Sequence, residues 1–410
     1  MNAATGALAT RTPNEAPAVA LVLGMSVPGL AITRALARAG IEVYAVNHDR
    51  SGPGTATRYA KILYAEGINS DRCAAILLEL RAQLPPNRPI VVYPSSDNMV
   101  RSISVNWPAL APYFRVSWAD SIEMVNHLLD KAHLEALCTA RGIDYPRSTL
   151  LEDPSDAADA VERVGLPLLV KPTRPLSGFK ALQVNSVEEL EALVARYPDN
   201  LPFLVQRWIA GGDDTLYFCS MILAQGRPLG VFTGRKLEAS PPGTGVGTVV
   251  ESRDAPEVRA LSERFIEGLD LSGPIAIEFK RDPQGRYWLI EPNVGRTEYS
   301  VDLIIQHGIN FPLLEYYSAL GQPRPASAGG RREVVWFDSD RDPYCYARFC
   351  LREGALRPRG KTPVFPYFGH DDPKPLLHAS RRLALRVANA AASRLLRGAR
   401  QVDIHRYAGF

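Results

Sequence analysis

The sequence predicts an α/β front half that gives way to an α+β body, and three observations carry that prediction. Ala20-Leu-Val-Leu-Gly24 is followed by apolar residues at helical spacing from Pro28 to Gly40 and then by Ile41-Glu-Val-Tyr-Ala-Val46, a strand, helix, strand succession. Candidate strands at 62–64 and 90–93 alternate with a helical pattern over 71–84, as in a parallel sheet with crossover helices. From residue 203 the strands instead follow one another, at 203–207, 215–224 and 229–237, the last two joined by Gln225-Gly226-Arg227 as a hairpin turn, which predicts an antiparallel layer.

The remaining elements follow in order. A helical pattern over 130–141 stops at Gly142, 147–151 is extended, and a helix over 155–164 precedes Gly165-Leu-Pro-Leu-Leu-Val-Lys171-Pro172, an apolar strand that ends in lysine. Ser240-Pro-Pro-Gly-Thr-Gly-Val-Gly247 has no apolar period and reads as a glycine-rich loop. A helix over 256–268 and strands at 274–280 and 286–290, around the turn Asp282-Pro-Gln-Gly285, complete the body. Residues 322–333 read as a linker, followed by a strand at 336–338, a helix over 343–352, a Pro-rich stretch and a terminal helix from about 376 to 397. The expected organisation is a flexible leader (1–17), a parallel α/β domain (18–125), a small subdomain (126–205), a larger one (206–321) and a linker with a C-terminal extension (322–410).

Composition excludes several classes. An apolar share of 46% and a charged share of 22% are those of an ordinary globular chain. With 47 basic against 44 acidic residues the formal charge is +3, too small for nucleic-acid binding by net field. The five cysteines contain no CxxC and no zinc spacing, which fits a reduced, cytoplasmic setting. No apolar stretch approaches the ~20 residues of a membrane span. Between Pro375 and Phe410, seven arginines face one acid, Asp403, with Leu383, Val387, Ala391 and Leu395 at helical intervals. Such a basic amphipathic helix either docks on its own protein, the favoured reading, or touches an anionic membrane surface.

Glu278 and Glu291 stand out because each interrupts an apolar strand, after Ile-Ala-Ile and Trp-Leu-Ile, where a charge is costly unless paired or metal-bound. If the two strands form a hairpin about the Asp282–Gly285 turn, both carboxylates face one side, and with the Asn293 carbonyl they make an oxygen site suited to Mg²⁺. Two solvated glutamates on an outer face is the plainer alternative.

Glu278, then Ile290-Glu291-Pro-Asn293 with Arg296 just after, resembles the metal-binding strand pair of the ATP-grasp superfamily, especially its carboxylate-amine ligases of the D-aspartate ligase and carbamoyl-phosphate-synthase-like kind. The resemblance runs from about residue 20 to 320 as separated motifs in the right order. It implies a pre-ATP-grasp α/β domain, a two-subdomain ATP-grasp fold, and ATP with Mg²⁺, or Mn²⁺ in its place. Lys131 and Lys171 resemble the two phosphate-facing lysines. Thr173-Arg-Pro-Leu-Ser-Gly178-Phe-Lys180 occupies the place of the flexible loop over the phosphates, so Lys180 joins the nucleotide set. Gln206-Arg207-Trp208-Ile209 resembles the adenine hinge, its backbone pairing with the adenine edge, with Asp214 or Asp213 on the ribose or the loop. Gly234-Arg235-Lys236 resembles the basic strand, whose side chains alternate faces, so one of Arg235 and Lys236, the latter preferred, meets the phosphates. Gly243 and Gly245 belong to a substrate-covering loop. Arg296, one residue off the usual Asn-Pro-Arg spacing, is assigned to charge on an acyl phosphate.

At the front, Gly24-Met-Ser26-Val-Pro-Gly29 contains neither GxGxxG nor GK[ST], so neither a nicotinamide fold nor a P-loop is supported. In related ligases this domain helps to bind a substrate, which makes Ser26, Ser96 and Asp97 candidates, with helix capping as the equal alternative. The expected activity is Mg-ATP-dependent formation of an acyl phosphate from a small carboxylate and its capture by an amine, releasing ADP and phosphate. The alternatives are a superfamily member activating bicarbonate or using a non-amine acceptor, and a nucleotide-binding regulatory protein with a degenerate site. The expected assembly partner is a second copy, as a homodimer, without nucleic acid.

Overall fold

The computed structural model describes residues 17–173, 181–323, 332–386, 388 and 389. Three sheets organise it. The first is parallel, with strands β1 (Val19–Leu23), β2 (Val43–Asn47), β3 (Lys61–Tyr64) and β4 (Ile90–Tyr93) in the order β3-β2-β1-β4. All five residues of β1 are buried, as an apolar run without alternation requires of a parallel strand covered on both faces. The helix Val27–Arg38, with Pro28 in its first turn, and the helix Asp97–Val105, capped by the Ser96 side chain, each begin just beyond a strand's carboxyl end.

A second sheet joins β5 (Ser148–Leu151), β6 (Leu168–Pro172), β7 (Leu182–Val184) and β8 (Phe203–Arg207) in the antiparallel order β5-β8-β6-β7. It has its own core, where Leu168, Val170, Phe203 and Val205 meet Ala160 and Leu190 of two covering helices. The third sheet contains β9 (Leu216–Ala224), β10 (Arg227–Ser240), β11 (Val246–Ser252), β12 (Gly273–Arg281), β13 (Tyr287–Val294), β14 (Val334–Phe337) and β15 (Thr362–Val364). Its order is β13-β12-β9-β10-β11-β14-β15, antiparallel except for the last pair. Its faces share cores with the first sheet: Met221, Ile275 and Ile277 pack into the cluster of Leu21, Val92 and Trp118.

The turn at Gln225-Gly226 has positive φ at both residues, 50° and 74°, the conformation of a tight hairpin between β9 and β10. Two findings depart from the sequence reading. The glycine-rich loop is shorter than expected, because Val246 to Ser252 continue as β11. The expected strand near Trp336 is not isolated in an extension but adds β14 to the body's sheet. The C-terminal part is also tied to the front. Arg34, 4% exposed, donates to Asp372 at 2.9 Å and to the carbonyls of Pro366 and Tyr367 at 2.8 and 3.2 Å. The terminal helix is present over 374–386, its predicted remainder lying outside the described residues. No described helix is long and apolar enough to cross a membrane.

Candidate active site

The β12–β13 hairpin builds the centre. Asp282 holds its turn, Oδ1 accepting from the N–H groups of Gln284 and Arg286 and Oδ2 from Trp288 Nε1 at 2.9 Å. That turn sets the register in which Glu278 lies opposite Glu291 and Ala276 opposite Asn293. Directly opposed residues share a face, and so do residues two apart, so both carboxylates and the Asn293 amide converge. Two like charges in this arrangement repel unless cations intervene. They do: Lys131 Nζ lies 2.7 Å from Glu291 Oε2, and Lys236 Nζ 3.7 Å from Glu278 Oε2. The Glu291 charge holds the Lys131 ammonium above its ordinary range. At Lys236 burial works against the charge, yet Glu278, Glu298 and Glu291 together raise it.

Arg296 closes the other side. Its Nη2 donates to Asn293 Oδ1 at 2.8 Å and its Nε to Asp97 Oδ1 at 2.6 Å, so the first-sheet domain and the hairpin meet through one guanidinium. Two adjoining cavities flank this cluster and share Asp97, Lys236, Gly245, Glu278, Glu291, Asn293 and Arg296. One, of about 240 Å³, extends between the second and third sheets, where Lys171, Gln206, Trp208 and Ile209 line it. Lys171 ends β6 as expected and donates to Gln206 Oε1 at 3.1 Å. The other, of about 230 Å³, extends toward Ser95, Ser96, Glu298, Tyr299 and Ser300 with Phe218 and Val250 as an apolar wall.

No family model matches the chain. The D-alanine–D-alanine ligase of Pseudomonas putida (strain GB-1) is 29% identical over 183 residues, covering 42% of this chain and 57% of that protein; that of Alkalilimnicola ehrlichii is 28% identical over 189 residues, with 42% and 58% covered. The chain thus spans somewhat over half the length of these curated relatives. Among solved structures, an ADP complex of N5-carboxyaminoimidazole ribonucleotide synthetase superposes with a TM-score of 0.62 at 12% identity, over 82% of this chain and 85% of that one. The biotin carboxylase–ATP-analogue complex from Campylobacter jejuni gives 0.60 at 14% identity, over 77% and 74%. The chain shares the fold of these ATP-dependent enzymes and resembles D-alanine–D-alanine ligases in sequence over the matched part.

Within this fold most expected residues converge on the two cavities, and a few do not. Gly243 and Gly245 border them from the loop between β10 and β11, where a Cβ on Gly245 would lie 2.2 Å from the Pro241 carbonyl oxygen. Alternation along β10 sends Arg235 away: its Nε donates to the Asp214 carbonyl at 2.6 Å, its Nη2 lies 3.2 Å from Asp214 Oδ2, and it stacks over Tyr217. Neither Arg235 nor Asp214 lines a cavity, and Ser26, exposed at its helix start, lines neither. Lys180 lies outside the described residues. The N–H groups of Arg207 and Trp208 already donate to the carbonyls of Arg147 and Pro167 at 2.9 and 3.0 Å, so a ligand pairing with this hinge has to use other main-chain groups.

Two contributors, Lys280 and Glu298, were not singled out from the sequence, while Asp213 takes the loop role given as one of its alternatives. Lys280, 6% exposed, lines the cavity between the second and third sheets with its Nζ 4.2 Å from the Trp208 ring centroid, and burial lowers its ammonium's proton affinity. Its signal was its position two residues beyond Glu278, on the same strand face. Asp213 accepts from the N–H groups of Ala239 at 2.9 Å and Gly243 at 2.8 Å, pinning the loop. Glu298 lines the second cavity, and burial, reinforced by Glu278, pushes its carboxyl up. It lies beyond the strand, where no periodicity marks it.

Proposed function

We propose that the chain is an ATP-dependent carboxylate-amine ligase that activates a small carboxylate as an acyl phosphate and joins it to an amine. The observation that carries this reading is the opposed pair Glu278 and Glu291 with Asn293 on one face, ringed by Lys131, Lys171, Lys236 and Arg296. So many cations around two carboxylates are the electrostatics of a polyphosphate site.

The donor set fits a hard divalent cation, which takes one or two carboxylates and completes its shell with water and phosphate oxygens. Glu278, Glu291 and Asn293 would hold Mg²⁺, which supplies charge neutralisation of the β and γ phosphates. The chain's own groups account for the rest. Lys131 and Lys171 face the phosphates, and their present partners, Glu291 and Gln206, keep them extended toward the cavity. Trp208, Ile209 and Leu216 offer apolar surface to the base.

In the first half-reaction a substrate carboxylate oxygen bonds to the γ-phosphorus as the bond to the β–γ bridging oxygen breaks, and ADP leaves. Arg296, fixed by Asp97 and Asn293, and Lys236 stand where the acyl phosphate's charge develops. In the second, an amine nitrogen bonds to the acyl carbon, the bond to phosphate breaks, and phosphate and one proton are released. The Gly243–Gly245 loop, pinned by Asp213, borders both cavities and limits water access to the acyl phosphate. The front domain contributes Ser96 to the cavity beyond the carboxylate pair and Asp97 to both cavities.

The test offers the full chain Mg-ATP, small amino and hydroxy acids, and hydroxylamine as a general acceptor, reading ADP and hydroxamate together. Acid-dependent hydroxamate with stoichiometric ADP is the expected result; ADP release that no acid stimulates would contradict the reading.

A further inference from the structure

The cavity beyond the carboxylate pair contains one charged group that the mechanism above does not use. Glu298 Oε1 accepts from the Tyr299 N–H at 2.9 Å, while Oε2 is buried and has no hydrogen-bond partner among the described residues. The nearby cations are engaged elsewhere, Lys236 with Glu278 and Arg296 with Asp97 and Asn293. A buried carboxylate oxygen without a partner is costly, by several kcal/mol in general, and persists where a ligand completes it. The position of Glu298 is informative too. Its cavity shares Glu278, Glu291, Asn293 and Arg296 with the nucleotide-side cavity but extends away from Lys171 and Trp208, so it opens beyond the phosphate end.

We propose that Glu298 is the seat of the acceptor's amine, held as an ammonium against the free carboxylate oxygen, and that the acceptor is a small primary amine of amino-acid size. This rests on the ligase reading and deepens it. The cavity, about 230 Å³, has room beyond the residues it shares with the nucleotide-side cavity for a small molecule. The hydroxyls of Ser95, Ser96 and Ser300 offer hydrogen bonds to the rest of such a molecule, and Phe218 and Val250 give it one apolar side. Glu298 therefore acts as a binding group that sets acceptor specificity, placing beside the acyl phosphate that Arg296 and Lys236 hold a nitrogen that gives up one proton to water before its lone pair attacks.

The experiment uses the full chain with Mg-ATP and small amino acids, D-alanine included, each offered as acid and as acceptor, with hydroxylamine as an acceptor that is largely uncharged at neutral pH. Glu298→Gln preserves shape and the Tyr299 contact but removes the charge. Loss of one charge-assisted hydrogen bond predicts an acceptor KM raised roughly tenfold or more, with the KM of ATP and the hydroxamate rate changed less than about twofold. Glu298→Asp recovers part of the acceptor KM, and the melting temperature of Glu298→Gln does not fall. An unchanged acceptor KM overturns the proposal, as does an equal rise in the Mg²⁺ or ATP requirement, or loss of the melting transition in both variants. A wild-type chain that forms hydroxamate but shows no dependence on Glu298 overturns this inference alone; one that forms neither hydroxamate nor amide overturns the ligase reading with it.

Discussion

Glu315 offers a pH test that can be worked through from its surroundings. It sits on the helix Phe311–Ala319, 2% exposed, where its one described hydrogen bond is from Ser117 Oγ at 3.0 Å and no described cation offsets its charge. Burial pushes its carboxyl up to about 8, against an ordinary 4.5. Between those values the folded chain retains a proton that the unfolded chain releases, so this site's contribution is fully present below about 4.5 and is lost progressively as pH rises to about 8. At 1.36 kcal/mol per unit, with the slope halved at pH 8 where the folded group is half ionised, the loss between pH 6 and pH 8 is about 2 kcal/mol.

Glu315→Gln keeps the shape and an acceptor for Ser117 but does not titrate. Compared with wild type, it should gain stability steadily across that interval, by several degrees of melting temperature. Thermal and urea unfolding followed by tryptophan fluorescence at pH 6, 7 and 8 measure the gap. If the curves of the wild type and of Glu315→Gln run parallel in pH, the buried proton is not there and the reasoning fails.

Three further outcomes follow. Glu291→Ala should fold with a melting temperature near wild type and release ADP at least ~10²-fold more slowly with a stimulating acid, since an oxygen ligand and the partner of Lys131 are both removed; turnover close to wild type would dismiss the metal assignment. Lys280→Met removes a buried ammonium beside Trp208 and should weaken Mg-ATP binding by roughly tenfold in calorimetry, whereas an unchanged Kd would show that the nucleotide does not reach it. Asp372→Ala leaves Arg34 buried without its counter-charge and frees the Thr57 hydroxyl that donates to Asp372 at 2.7 Å, so it should destabilise by about 3–5 kcal/mol. A melting temperature no lower than that of Asp371→Ala, at the exposed neighbouring pair with Arg38, would contradict the assigned role of the clasp.

What was legible in the sequence, and what was not, has a physical pattern. The parallel strands were readable because burial on both faces imposes continuous apolar runs, and the Glu278–Glu291 pair because a charge inside such a run is conspicuous. Strand alternation requires that only one of Arg235 and Lys236 face the site without saying which, and Lys236 is the one that lines the cavities. β11 was hidden because glycine and threonine interrupt its apolar run, and the place of the expected strand β14 in the sheet because its pairing partner lies more than eighty residues earlier in the chain. Glu298 was illegible for another reason. It acts from irregular backbone, where no period exists and where only the approach of distant segments creates the partner groups.

The central claim, that a carboxylate is activated by ATP as an acyl phosphate at the Glu278–Glu291 hairpin, is tested most directly by isotope transfer. The acid found by the hydroxamate screen is labelled with ¹⁸O in its carboxylate and turned over with Mg-ATP and its amine, and the released phosphate is analysed by mass spectrometry. One ¹⁸O atom in each phosphate formed is the predicted result; unlabelled phosphate alongside labelled product would contradict it.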